Sequence, residues 1–547
     1  MISRGGGLSI FGFLDFRGAQ MTGAPINRCL GLILLAAICG CSQHASSSLV
    51  LRRGLSGEPA SLDPAAAADG FSTQVVQDLY EGLTGETPAG EVVPAVASSW
   101  EVDSTGTKYT FHLRSDARWS NGKPVRAQEF LDSWRRVLDP RQGSPVSNDL
   151  RLIVGAAEII AGRLPPRSLG VTAPSDNLLI VNLEQPAPYF PQLLAHSSTF
   201  PIYSESNARS HNPGVWVSDG PYVLASWQPG TRVELIQNMN YWDRGNVRIP
   251  RVQYHIAPDQ NSQFAAYRAG QLDMTDTVPT NAVASLRSEH SNEIVIAPYL
   301  ATAYFGLNIA APPFNGNLKL RKALSMAIDR QRLVTALSLG QIGAYGFVPP
   351  GTWNYNPQHM EWEQLSDLDR VAEAKRLYAE AGYSTQTPLH LRLLFNSNPA
   401  IKQTALMTSA MWKEELGIDT ELTDEEFRVF LQSRHDKKRW EIVRLAWNAD
   451  YNDASNFLDI FRANSPNNDT GYSNPSFDQI LDRAANTADP GIRRDLLENA
   501  EKTMLADYPS IPLYFFVSKR LVKPYVQGVK PNPLDRVGSK ELVILPH

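Results

Sequence analysis

Beyond position 41 the chain has no cysteine: Cys29, Cys39 and Cys41 are its only three among 547 residues. No disulfide can brace the body, so its stability has to come from burying a core, which a chain this long can do. Outside the short apolar stretch near the N-terminus there is no run of about 18 apolar residues, so nothing downstream reads as a membrane span. Basic clusters are absent and the formal net charge is −5, which makes nucleic acid an unexpected partner. Reactive constellations are missing as well. The ten histidines never approach within 15 residues of one another, so no local pair can hold zinc on a helix. No serine has glycine two residues away on both sides, and there is no P-loop and no G-x-G-x-x-G. The expectation is no catalytic residue, no metal site and no cofactor, leaving only a constellation assembled from distant segments.

What is present begins at the N-terminus. Arg28 precedes the apolar run Leu30-Gly31-Leu32-Ile33-Leu34-Leu35-Ala36-Ala37-Ile38, followed by Cys39-Gly40-Cys41. A basic flank, a short apolar core and a small residue before a cysteine read as an export signal over 1–40, too short to span a bilayer. Ile38-Cys39-Gly40-Cys41 resembles the lipobox of bacterial lipoproteins, which implies lipidation at Cys41; the alternative is a plain secretory peptide with an incidental cysteine. On either reading the body works outside the cytoplasm. Met21 alone would start a signal of ordinary length, so translation is expected to begin there. Removing the first 40 residues takes away Arg4, Arg17, Arg28 and Asp15, leaving a mature charge of about −7. Residues 41–48 form a tether with four serines after the cysteine, a flexible composition.

In the body, strand and helix signals alternate. Tyr109–Leu113 and Leu179–Leu183 read as strands, rich in β-branched and aromatic residues. Ser366 is placed to cap a helix with Asp369 three residues on, carrying Leu368, Val371, Ala374, Tyr378 and Ala381 on one face and stopping at Gly382. Asp489-Pro490 starts another, with Ile492, Leu496, Ala500 and Met504 along its face. Ile511–Val517 suits a buried strand. This mixture predicts an α/β body with more than one sheet. With no low-complexity linker and no repeat, the lobes should be interleaved by several crossings.

A series of short segments runs in order along this body: Glu58-Pro59-Ala60-Ser61-Leu62-Asp63-Pro64, Asp78-Leu79-Tyr80-Glu81-Gly82-Leu83, Pro94-Ala95-Val96-Ala97, Tyr109-Thr110-Phe111-His112-Leu113-Arg114, Trp119-Ser120-Asn121-Gly122, Ser133-Trp134-Arg135-Arg136, Gly220-Pro221-Tyr222, Asn240-Tyr241-Trp242-Asp243, and Arg321-Lys322-Ala323-Leu324 with Ala327-Ile328-Asp329-Arg330. In order and spacing the series resembles the solute-binding proteins of peptide ABC importers, above all the oligopeptide-binding, OppA-type branch. The resemblance implies a two-lobed periplasmic-binding-protein-like fold of type II with an extra subdomain and hinge strands between the lobes. Lobe one would comprise 49–80, 200–300 and 518–547, the subdomain 81–199, and lobe two 301–517. The crossings would fall near Pro298–Ala301 and Phe515–Lys519.

The same resemblance assigns a site. Trp447-Asn448-Ala449-Asp450-Tyr451-Asn452 matches the family segment that receives a peptide's N-terminus. Alone, such an Asp-Tyr-Asn string reads as a turn or cap. An ammonium enclosed between lobes loses its hydration and needs a carboxylate in exchange. Asp450 is expected to be that carboxylate, buried, with Trp447 walling the next pocket. Arg444 and Arg434 align with arginines near the ligand and are candidates for carboxylate or pocket contacts, each balanced by a plain surface role. Enteric members carry a cysteine pair where this chain has Ala301 and Asn448. A histidine that some members use near a peptide C-terminus corresponds to Ile401, and basic residues after the Asp-Arg pair correspond to Ala336 and Ser338. A looser length preference is therefore expected. The implied function is a monomeric, lipid-anchored periplasmic receptor that passes oligopeptides with a free amine to an ABC permease, touching the membrane only through its anchor. Alternatives are murein peptide or another solute on the same fold, or an envelope peptide sensor without transport.

Overall fold

The structure, a computed structural model, describes residues 49–203, 216–384 and 386–547. The export signal, Cys41 and the tether lie outside the described residues. Three sheets of four or more strands carry the described body. The first runs in the order Val50–Leu55, Arg251–Ile256, Arg232–Gln237, Tyr222–Gln228, with the first pair parallel and the others antiparallel. The second is antiparallel throughout: Ala97–Val102, Lys108–Leu113, Leu178–Asn182, Val171–Ser175. In Lys108–Leu113 the side chains of Tyr109, Phe111 and Leu113 are buried while those between them are not, the period-two pattern of a half-covered sheet. The two sheets share one core, joining Leu51, Phe111, Val181 and Leu235 to Val526 and Leu542 of the returning C-terminal tail.

A third sheet has six strands, in the order Ile342–Gly343, Ser510–Leu521, Ile294–Leu307, Ile442–Asn448, His390–Asn396, Asp419–Glu425. The buried residues of its core fall between 300 and 514, with Phe516 and Leu534 packed against them. Ile294–Leu307 and Ser510–Leu521 pass between cores. Ile294, Ile296 and Leu521 pack with Tyr267 and Val278, whereas Leu300, Phe305, Ile511 and Leu513 lie in the six-stranded body. The ladder between these strands breaks register between Pro298 and Thr302, opposite Val517 and Phe515. Such an irregularity re-aims a strand by letting it bend.

Both expected helices form, and much of each expected face is buried, Ala374 and Tyr378 in one and Ala500 and Met504 in the other, while the first apolar residue of each stays outside. Ser366 Oγ accepts from the Asp369 backbone N–H at 3.2 Å and starts Asp367–Glu380, yet Leu368 is 85% exposed and Arg370, Ala374, Leu377 and Tyr378 face inward. Asp489 caps Pro490–Asp507, but Ile492 is 58% exposed while Arg493, Leu497, Ala500, Glu501 and Met504 are buried. The reason is the same in both. A charged side chain that finds partners can occupy a core-facing position that the apolar pattern alone does not announce.

Candidate functional site

The central strand Ile442–Asn448 is held between Ile294–Leu307 and His390–Asn396. Alternation along it sends Arg444 and Asn448 to one face and Trp447 to the other, so these three candidates do not share a face. Asn448 is exposed and stands directly opposite Ala301. Past the strand the chain turns tightly. Asp453 Oδ1 accepts from the Ser455 backbone N–H (2.9 Å) and hydroxyl (2.6 Å), closing the turn just ahead of the short helix Ser455–Leu458. Asp453 also receives both Nη groups of Arg493, at 2.7 and 2.8 Å, in a buried bidentate pair that pins the turn to the long helix.

Asp450 sits on this turn and is exposed to solvent; the burial expected of it is that of a carboxylate between lobes clamped on a captured chain. Protein still crowds it enough to push its carboxyl up from the ordinary value of 3.8, against a hydrogen bond from Asn456 that pulls it down. It has no cationic partner among the described residues. Burial raises Asp149 and Tyr299, and the Asp450 charge adds to both, at Asp149 against a hydrogen bond from Ser198. Beside Asp149, His196 Nδ1 lies 3.6 Å from the carboxylate, and burial holds its imidazole down at about 3. Asn452 Oδ1 accepts from the Trp353 backbone N–H at 2.7 Å, joining the turn to the loop after Phe347.

The two arginines fare differently. Arg444 is 4% exposed and donates through Nη2 to the Tyr514 hydroxyl at 2.8 Å; its Nε has no hydrogen-bond partner and no carboxylate pairs with it among the described residues. Arg434 follows the helix Phe427–Ser433 and faces Asp469, its Nε 3.9 Å from Oδ2. Both guanidiniums lower the Tyr304 hydroxyl against burial and Asp469, which together raise it, so the structure does bring them to one neighbourhood. Elsewhere, Gln403 Nε2 donates to the Ala336 carbonyl at 3.2 Å. Beside it a cavity of about 460 Å³ is lined by Gln260, Asn261, Asn281, Leu337, Ser338 and Gln403, with no charged side chain. Ile401 is half-buried. Among the described residues no group of three or more His, Cys, Asp or Glu side chains could hold a metal, and no helix is long and apolar enough to cross a membrane.

Sequence reasoning missed Asn456, Tyr189 and Arg493, which surround Asp450's turn. No local pattern announces them, since Tyr189 and Arg493 are far away in sequence; only Asp453-Ala454-Ser455 carries a visible turn signal.

Comparison with known proteins adds a frame. Residues 91–469 match the model of the bacterial extracellular solute-binding proteins, family 5 middle region. The chain is 35% identical to the periplasmic oligopeptide-binding protein OppA of Escherichia coli over 526 residues, 94% of this chain and 96% of that one. An unliganded open form of the periplasmic murein tripeptide-binding protein MppA superposes with a TM-score of 0.85 at 33% identity, covering 92% of this chain and 98% of that one. A second structure, of the Escherichia coli murein tripeptide-binding protein MppA, gives 0.74 at 32% identity over 92% and 99%.

Proposed function

The chain belongs to the bacterial extracellular solute-binding proteins of family 5, and on that premise we propose that it binds oligopeptides between its two lobes and delivers them to an ABC importer. The observation that carries this reading is Asp450: an exposed carboxylate with no cationic partner among the described residues, on a turn pinned from behind by Arg493. Two bodies that close on a ligand favour closure only through contacts the ligand makes to both. An incoming ammonium would meet Asp450 from one side and lie near the Asp149 charge from the other. Better agreement with an open, unliganded relative fits an Asp450 that solvent still reaches.

Trp447 offers a wall for the first side chain, and peptide amides would pair as an added strand, ignoring side-chain identity. Of the two arginines, Arg444 has no carboxylate among the described residues to compete with a peptide's acidic end, while Arg434 is already opposite Asp469. The neutral cavity by Ser338 suits a chain that continues through it more than one that ends there. Closure would proceed about the broken ladder at Pro298–Thr302. Cys41, lipidated, would hold a monomer at the membrane as partner to a permease. The protein catalyses nothing on this reading. Murein peptide as cargo is the second reading, favoured by the likeness to murein tripeptide-binding structures.

Native mass spectrometry of the purified protein with its co-purifying cargo tests both. Peptides with free amino ends should be retained by the wild type and released by Asp450→Ala; undiminished retention refutes the role of Asp450. Cargo containing D-amino acids would select murein peptide.

A further inference from the structure

Asn456, 6% exposed, uses its whole amide on the site. Its Oδ1 accepts from the Trp447 indole N–H at 2.9 Å and, at a longer 3.4 Å, from the Asp450 backbone N–H. Its Nδ2 donates to Asp450 Oδ2 at 3.5 Å. Asp450 Oδ1 keeps no partner among the described residues. We propose that Asn456 is a positioning residue for amine capture: it turns the Asp450 carboxylate so that one oxygen is held and the other is offered, and it ties that orientation to the Trp447 ring. The inference rests on the reading of Asp450 given above.

The chemistry of the side chain supports the assignment. Holding an indole N–H and a carboxylate oxygen together needs an acceptor and a donor on one planar group, which an amide has. A carboxylate at 456 would repel Asp450, and an aliphatic group would leave the indole N–H unpaired in a half-buried place. Fixing the anchor before cargo arrives removes an ordering cost that binding would otherwise carry. Crowding is the larger effect on the Asp450 carboxyl and the Asn456 bond opposes it, so losing that bond should also move the pH at which amine recognition fails.

The test is a competition. A synthetic pool of random tri- to hexapeptides, half with free and half with N-acetylated amino ends, is offered between pH 4 and 8, and the bound ratio is read by native mass spectrometry. Wild type should favour free ends at pH 7. Asn456→Ala and the volume-keeping Asn456→Leu should each cut that preference by about tenfold, the worth of one charge-assisted hydrogen bond. Both should lose the remaining preference at a higher pH than wild type, and acetylated peptides should lose less than free ones. Equal losses for both peptide classes, or an unmoved pH profile, would overturn the proposal. If Asp450→Ala abolishes the preference while both Asn456 variants keep it, only this inference fails; if wild type shows no preference, the reading of Asp450 itself fails.

Discussion

The ring of Tyr451 lies flat on that of Tyr189, centroids 4.8 Å apart and planes 6° from parallel, with the Arg493 guanidinium 5.0 Å from the Tyr189 centroid. Tyr189 belongs to the core shared by the first two sheets, whereas Tyr451 directly follows Asp450 on the turn of the six-stranded body. The two bodies therefore touch through aromatic faces immediately beside an anchor that is still open to solvent. A double-mutant cycle of Tyr189→Ala and Tyr451→Ala, read by urea unfolding, should return a coupling of about 0.5–1.5 kcal/mol. Additive effects would mean the stack contributes nothing beyond area burial.

The buried pair of Asp453 and Arg493 supports this arrangement from below. Asp453→Ala would strand a guanidinium that faces Tyr189, and destabilisation of about 3–5 kcal/mol is expected. Thermal unfolding of cargo-free protein measures it, and a shift within the error of wild type would contradict the role given to the pair.

Glu501 supplies a pH dependence. Fully buried, its Oε1 accepts from the Phe347 and Val348 backbone N–H groups at 2.6 and 2.9 Å, and its Oε2 from the Tyr355 hydroxyl. Burial pushes its carboxyl from 4.5 up to about 7, against those hydrogen bonds and one from Gln358, with no cation opposing. Folding thus favours the protonated form. Its contribution is complete below the unfolded value near 4.5 and is lost as pH rises through about 7, a swing of roughly 3 kcal/mol. Glu501→Gln keeps the shape and removes the titration. Its stability between pH 5 and 8 should fall less steeply than that of wild type, and parallel profiles would exclude Glu501 as the source.

Ala301 and Asn448 face each other across neighbouring antiparallel strands. Directly opposed residues have Cβ atoms about 4.5–5.5 Å apart, within reach of a bridge after slight adjustment. Ala301→Cys with Asn448→Cys should oxidise to a single intramolecular disulfide and raise stability by about 2–4 kcal/mol. Mass analysis before and after reduction, with melting curves, checks both; two persistently free thiols would contradict the register.

Some of this was legible in the chain and some was not. Ser366 and Asp489 announced their helices because a cap acts on backbone groups two or three residues away. Tyr109–Leu113 announced a strand because alternation is a local property. The apolar residues of those helices gave Ala374, Tyr378, Ala500 and Met504 as inward, but not Arg370, Arg493 and Glu501, which are buried by virtue of partners elsewhere: the Met326 carbonyl, the Asp453 carboxylate, and the Phe347 and Val348 amides.

By itself, the sequence determined where two helices are capped, that no disulfide braces the body, and that Asp450 sits on a turn beside Trp447, because each depends on neighbours along the chain. Tertiary structure alone decided that Asp450 is exposed, that Arg434 meets Asp469 while Arg444 meets no acid among the described residues, and that Tyr189 stacks on Tyr451. Those outcomes are set by groups from separate segments, and a charge's partner and its access to water are properties of the folded neighbourhood, not of the residue.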